Sequence, residues 1–109
     1  MEIIQNEKYC IITPLSPKLG EREIIRLYDE IISTNSPKIG LDLSFVKDCT
    51  IDFVELIKSI KNVSLFNIPS DVFALFTGMN LDKTVKMYVS ELDFFEDKHR
   101  LLNRKLTLV

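Results

Sequence analysis

The chain has 109 residues, 46% of them apolar and 28% charged, with 14 basic against 16 acidic side chains and a net charge of −2. That length suits one domain, spanning 1–109, that buries roughly two-thirds of its unfolded surface. The charge is close to balanced and unclustered, which argues against nucleic-acid binding, and no stretch approaches the roughly 20 apolar residues of a membrane span.

Met1–Lys8 has neither a positive start nor a long apolar core, so no secretory leader is expected and the expected location is cytoplasmic. Ile3–Gln5 and Tyr9–Thr13 read as strands of a hairpin joined through Asn6-Glu7-Lys8. A loop carrying Pro14, Pro17 and Gly20 follows. The spacing then predicts a helix over about Glu21–Ser33, with Ile24, Leu27, Tyr28 and Ile31 on one stripe and Ile25 and Ile32 widening it. Ser36 precedes Pro37 and resists helical geometry, so Thr34–Pro37 ends that element.

Lys38–Leu43 is densely apolar with one acid near its end, the pattern of a strand inside a sheet. A second helix is expected over about Ile51–Ile60, with Phe53, Val54, Ile57 and Ile60 inward and Glu55 and Lys58 outward. Val63–Phe66 reads as another strand. Pro69-Ser70-Asp71 should open a third helix, capped by serine or aspartate, with Val72, Leu75, Phe76 and Met79 as its apolar stripe. Asn80 follows, and asparagine is the next most tolerant residue of a left-handed turn after glycine. Thr84–Val89 is the last strand. Ser90-Glu91-Leu92-Asp93 resembles a capping box opening a fourth helix to about Arg104, which should bury Leu92, Phe95 and Leu102. The tail Lys105–Val109 alternates like a strand, either lying on the domain or extending a sheet edge in a homodimer. Strands alternating with helices imply an α/β domain with a mixed, mostly parallel sheet of about five strands and about four helices.

The strand-to-helix junction carries a resemblance. Leu41-Asp42-Leu43-Ser44 with Val46, then Val54-Glu55-Leu56-Ile57, resembles the STAS domain (sulphate transporter and anti-sigma-factor antagonist). Phe66-Asn67-Ile68-Pro69, Leu81-Asp82-Lys83, Val85-Lys86-Met87-Tyr88 and Ser90-Glu91 continue it over nearly the whole chain, most loosely in the first third. Asn80 stands where the family usually has glycine. The resemblance implies a bacterial protein switch that docks a serine/threonine-kinase-type anti-sigma factor, or a related regulator, and so acts in transcription control. In that family a serine in an Asp-Ser-Ser-Gly run at the start of the second helix is phosphorylated, which abolishes docking.

This chain departs from that run. Without gaps, the four family residues fall on Thr50, Ile51, Asp52 and Phe53, so Asp52 takes the acceptor's place. One permanent charge there partly imitates a phosphate, which adds about −1.5 to −2 charges. A second register sets Asp48-Cys49-Thr50 over Asp-Ser-Ser and leaves Thr50 as possible phosphoacceptor; it needs a two-residue deletion. The ungapped register keeps Val54, Leu56 and Ile57 in phase and is preferred. The expected docking surface is therefore Ser44, Phe45, Asp48, Cys49, Thr50, Asp52 and Phe53. Phe53 has the helical phase of a core residue, and Phe45 stands open between core and surface. Thr50 or Asp52 taken alone also suits plain helix capping or starting, worth on the order of 1 kcal/mol.

Little else in the chain points to chemistry. His99 is the lone histidine, set among Asp97, Lys98 and Arg100 like a solvated helix face. Cys10 and Cys49 form no CxxC pair and read as reduced, buried thiols, so no zinc site, other metal site or cofactor is expected. There is no GxGxxG or GKS/T loop, no serine or cysteine that pairs with a plausible base and no glycosidase-like carboxylate pair. No enzymatic activity is expected. Besides antagonist-like docking, two other roles follow: a STAS subunit of a membrane transporter, and a sensor of a small ligand such as a nucleotide or lipid.

Overall fold

The computed structural model describes residues 1–97. The expected run of the fourth helix to Arg104, with Leu102, His99 and the Lys105–Val109 tail, lies outside the described residues. In chain order the elements are β1 (Glu2–Gln5), β2 (Cys10–Thr13), β3 (Lys18–Leu19), α1 (Glu21–Ser33), β4 (Ile39–Asp42), β5 (Asp48–Cys49), α2 (Ile51–Lys58), β6 (Val63–Phe66), α3 (Ser70–Gly78), a 3₁₀ turn (Leu81–Lys83), β7 (Lys86–Tyr88) and α4 (Glu91–Glu96).

Five strands form one mixed sheet in the order β1-β2-β4-β6-β7. The β1–β2 hairpin is antiparallel, pairing Ile3 with Ile12, and every later pairing is parallel, with Leu41 beside Leu65 and Leu65 beside Met87. Asn6 closes the hairpin, because its Oδ1 accepts from the N–H groups of Lys8 and Tyr9 at 2.8 and 2.9 Å. The crossovers β2-α1-β4, β4-α2-β6 and β6-α3-β7 all step the same way across the sheet. Connections of one hand then place all three helices on one face.

Alternation along the strands divides the sheet into two unequal sides. Cys10 and Ile12, Ile39 and Leu41, Val63 and Leu65, and Met87 meet Leu27 and Ile31 of α1, Phe53, Val54 and Ile57 of α2, and Val72 and Phe76 of α3 in the main core. The intervening residues Ile11, Phe66 and Tyr88 turn to the other side, where Phe94 of α4 completes a small aromatic cluster with Tyr9 against it. Phe94 lies edge-on to Tyr88, with ring centroids 5.7 Å apart.

Several expectations are corrected. In α1 only Leu27 and Ile31 are buried, with Ile24 packed partly against them, whereas Ile25, Tyr28 and Ile32 face outward. A helix lying on one sheet face covers one stripe, and residues about 100° round from Leu27 or Ile31 are already off it. In α4 the buried residue is Phe94; Leu92 is 63% and Phe95 43% exposed. The helix ends at Glu96, where Asp97 turns left-handed with φ 57°. The Leu92–Phe95 spacing imitates a core stripe, but so short a helix meets the sheet mainly through one side chain.

At α3 the N-cap is Pro69, and no side-chain cap forms from Ser70 or Asp71. The Pro69 carbonyl accepts from Phe73 at 2.8 Å instead. Asn80 is left-handed, with φ 60°, and Ser90 Oγ accepts from the Asp93 N–H at 3.3 Å at the start of α4. The strand read over Thr84–Val89 is shorter, and the loop read between β2 and α1 contains β3.

Candidate docking site at the start of helix α2

The segment from β4 to α2 leaves the carboxyl edge of the parallel strands, and backbone bonds tie it down on two sides. Leu43 and Val46 are fully buried and anchor the loop. Between them Val46 N donates to Leu43 O at 3.0 Å, which puts Ser44 and Phe45 at an exposed tip. Asp42, the acid at the end of β4, holds this tip: its Oδ1 accepts from the Ser44 N–H at 3.0 Å and from Asn67 Nδ2 at 3.3 Å.

Further on, Lys47 N and Asp48 N both donate to Pro17 O, at 2.7 and 3.0 Å. β5 then pairs in parallel with β3, Asp48 beside Lys18 and Cys49 beside Leu19. Thr50 is the N-cap of α2 in extended conformation, and its carbonyl accepts from Phe53 at 3.1 Å. Its hydroxyl does not cap the helix; it reaches the Leu19 carbonyl at a long 3.5 Å. Asp52 lies exposed in the first turn, where a carboxylate favours the helix dipole by about 0.3–1 kcal/mol.

The residues expected at the site therefore divide. Ser44, Phe45, Asp48 and Asp52 are exposed and Thr50 is half-buried. Cys49 and Phe53 turn inward, so their side chains offer no surface to a partner. Phe53 stacks on Phe76 with centroids 5.8 Å apart, as its helical phase required. Burial, with the Asp48 charge adding to it, pushes the Cys49 thiol up to about 11, so it is no nucleophile at neutral pH. Burial likewise raises Cys10, against a hydrogen bond from Thr34. Both cysteines are free thiols.

Two contributors escaped the sequence reading. Ile51, the first residue of α2, is 63% exposed and stands beside Asp52, while Phe45 is 54% exposed. Ile51 hides in sequence because an apolar residue at a helix start carries no local sign of whether the fold covers it. Asp42 is the other: a lone acid in a buried strand signals a local task, and here it organises the loop. Leu15 and Val89, which follow β2 and β7, are also exposed and leave the sheet at this same edge.

Among the described residues no group of three or more His, Cys, Asp or Glu is placed to hold a metal ion, and no helix is long and apolar enough to cross a membrane. Comparison of the chain with protein-family models and with curated proteins finds no match in either.

Proposed function

We propose that this chain is a STAS-like protein-interaction module, without catalysis, that docks a serine/threonine-kinase-type anti-sigma factor or a related regulator through the start of α2. The observation that carries this reading is that the β4–α2 segment leaves two large apolar side chains, Phe45 and Ile51, exposed together with the Asp52 carboxylate. Each apolar side chain gains about 1.5–3 kcal/mol when fully buried against a partner, which suits the anchors of a small interface. The bonds to Asp42, Pro17 and Leu19 hold the loop in one shape, so little ordering remains to be done on binding. Asp52 is the constant charge at the place where the resembled family carries its switch, and its role here is to fix the module in one binding state.

The test is affinity capture from the source cells with wild type and a Phe45→Ser/Ile51→Ser double variant, followed by binding measurements with the captured partner. A kinase-type regulator should be held by wild type and lost by the double variant. Ile51→Ala alone should weaken binding about tenfold, and Asp52→Ser should change affinity measurably. Equal affinity of wild type and Asp52→Ser discards the constant-charge role. Capture that ignores both apolar substitutions discards the docking site.

A further inference from the structure

A cleft of about 400 Å³ opens at the opposite edge of the sheet, where β4, β6 and β7 begin. Among the described residues its charged lining is Lys38, Lys61, Lys86 and Asp97. Lys38 directly precedes β4, Lys61 lies just ahead of β6 and Lys86 starts β7, so parallel pairing of these neighbouring strands brings the three lysines to one wall. Counted over the described residues, three lysines against one aspartate leave the lining two charges positive, in a chain whose net charge is −2. Nothing in the sequence marks this, because Lys38, Lys61 and Lys86 lie far apart along the chain.

One anionic oxygen already lies against Lys86 in this cluster. Asp97 Oδ1 accepts from the Tyr88 hydroxyl and lies 3.5 Å from Lys86 Nζ. The left-handed turn that ends α4 delivers this carboxylate from the rim. Lys38 is fixed beside it: its Nζ donates to the Phe94 carbonyl and lies 4.4 Å from the centroid of the Phe94 ring. The hydrogen bond from Tyr88, opposed by desolvation and helped by the Lys86 and Lys38 charges, holds the Asp97 carboxyl below its ordinary value. Ser64 and Asn62 add a hydroxyl and an amide to the same lining, and Lys61 is exposed at its edge.

We propose that this cleft binds a small phosphorylated molecule, its dianionic phosphoryl group entering between Lys38, Lys61 and Lys86 in competition with the Asp97 carboxylate. The two surplus positive charges match a dianion, and lysine is a common point-charge partner of phosphate. The volume falls in the range of small-molecule pockets, roughly 300–1,000 Å³. A long polyanion, by contrast, would meet an acidic protein outside the cleft. The site lies across the sheet from the docking corner, so the two readings stand or fall separately.

The experiment is an NMR titration of the isotope-labelled protein at low ionic strength with two probes, inorganic phosphate and glycerol 3-phosphate, following the amides of residues 61–64 and 84–88. Saturable shifts confined to these strand starts are expected, tighter for the ester than for phosphate alone if the rest of the cleft contributes. Lys61→Gln and Lys86→Gln should each weaken binding about fivefold or more, whereas Asp97→Asn should tighten it about threefold by removing the competing carboxylate. Lys18→Gln removes the same charge from β3 at the far edge and should leave binding within about twofold. Lys61 is exposed, so its variant tests the site even if Lys86→Gln fails to fold. The site is refuted by shifts that do not saturate up to about 20 mM of either probe, since even a weak site of about 1 mM would do so. Equal weakening by Lys18→Gln and Lys61→Gln, or no tightening in Asp97→Asn, also overturns it.

Discussion

Gly40 decides whether α4 can lie on the sheet at all. A Cβ there would stand 2.9 Å from Phe66 Cε1 and from Phe94 Cε1 and Cζ. Neither ring has room to retreat, since each packs on the other at 5.3 Å and Phe94 also meets Tyr88. Gly40→Ala should therefore destabilise the protein by about 1–3 kcal/mol, read as a lower urea midpoint with an unchanged slope. A midpoint equal to wild type would show that α4 shifts freely. Two asparagines show how far single residues are legible. Asn80 was expected to be left-handed because it stands where the resembled family usually has glycine; Asn67, with φ 53°, carried the same chemistry in a strand-like context that concealed it.

At the scale of elements, the loop between β4 and α2 depends on one side chain. Asp42→Ala removes the acceptor of both Ser44 N–H and Asn67 Nδ2, a loss of about 1–3 kcal/mol for bonds to a charged group. The Ser44 and Phe45 amides should then exchange hydrogen faster, while Asp42→Asn, which keeps one acceptor oxygen, should restore much of the protection. Unchanged exchange in Asp42→Ala would mean that the buried Leu43 and Val46 suffice. The long elements α1, α2 and α3 were readable from period 3.6, and β2, β4 and β6 from apolar runs. The two-residue strands β3 and β5 were not, because a ladder that short exists only through its partner's position. The same reason explains the misassigned face of α4, which is set by the hole above Gly40 and not by the spacing of its own apolar residues.

For the whole molecule, strand order predicts a gradient of protection. β4 and β6 are central, with Ile39, Leu41, Val63 and Leu65 buried, whereas all of β1 is exposed at the edge of the sheet. Native-state hydrogen exchange should find the slowest amides in β4 and β6, opening only with global unfolding, and much faster exchange in β1. Slow exchange throughout β1 would imply that this edge is covered in solution. The sheet also separates two surfaces of different character. Its carboxyl edge carries Leu15, Phe45, Ile51 and Val89 with Asp48 and Asp52, and its amino edge carries the lysine-lined cleft. Apolar contact dominates one and charge the other, so raised salt should weaken the proposed phosphoryl binding strongly and the proposed docking little.

From sequence alone the class of fold, the chain order of its main helices and strands, and the inward side of α2 could be read, because periodicity and local backbone preference are properties of neighbouring residues. The exposure of Ile51, the β3–β5 ladder that braces the loop and the gathering of Lys38, Lys61 and Lys86 were decided by tertiary structure. Each of these depends on which strands lie side by side, and strand adjacency is settled by the burial of a shared core far from the residues it brings together.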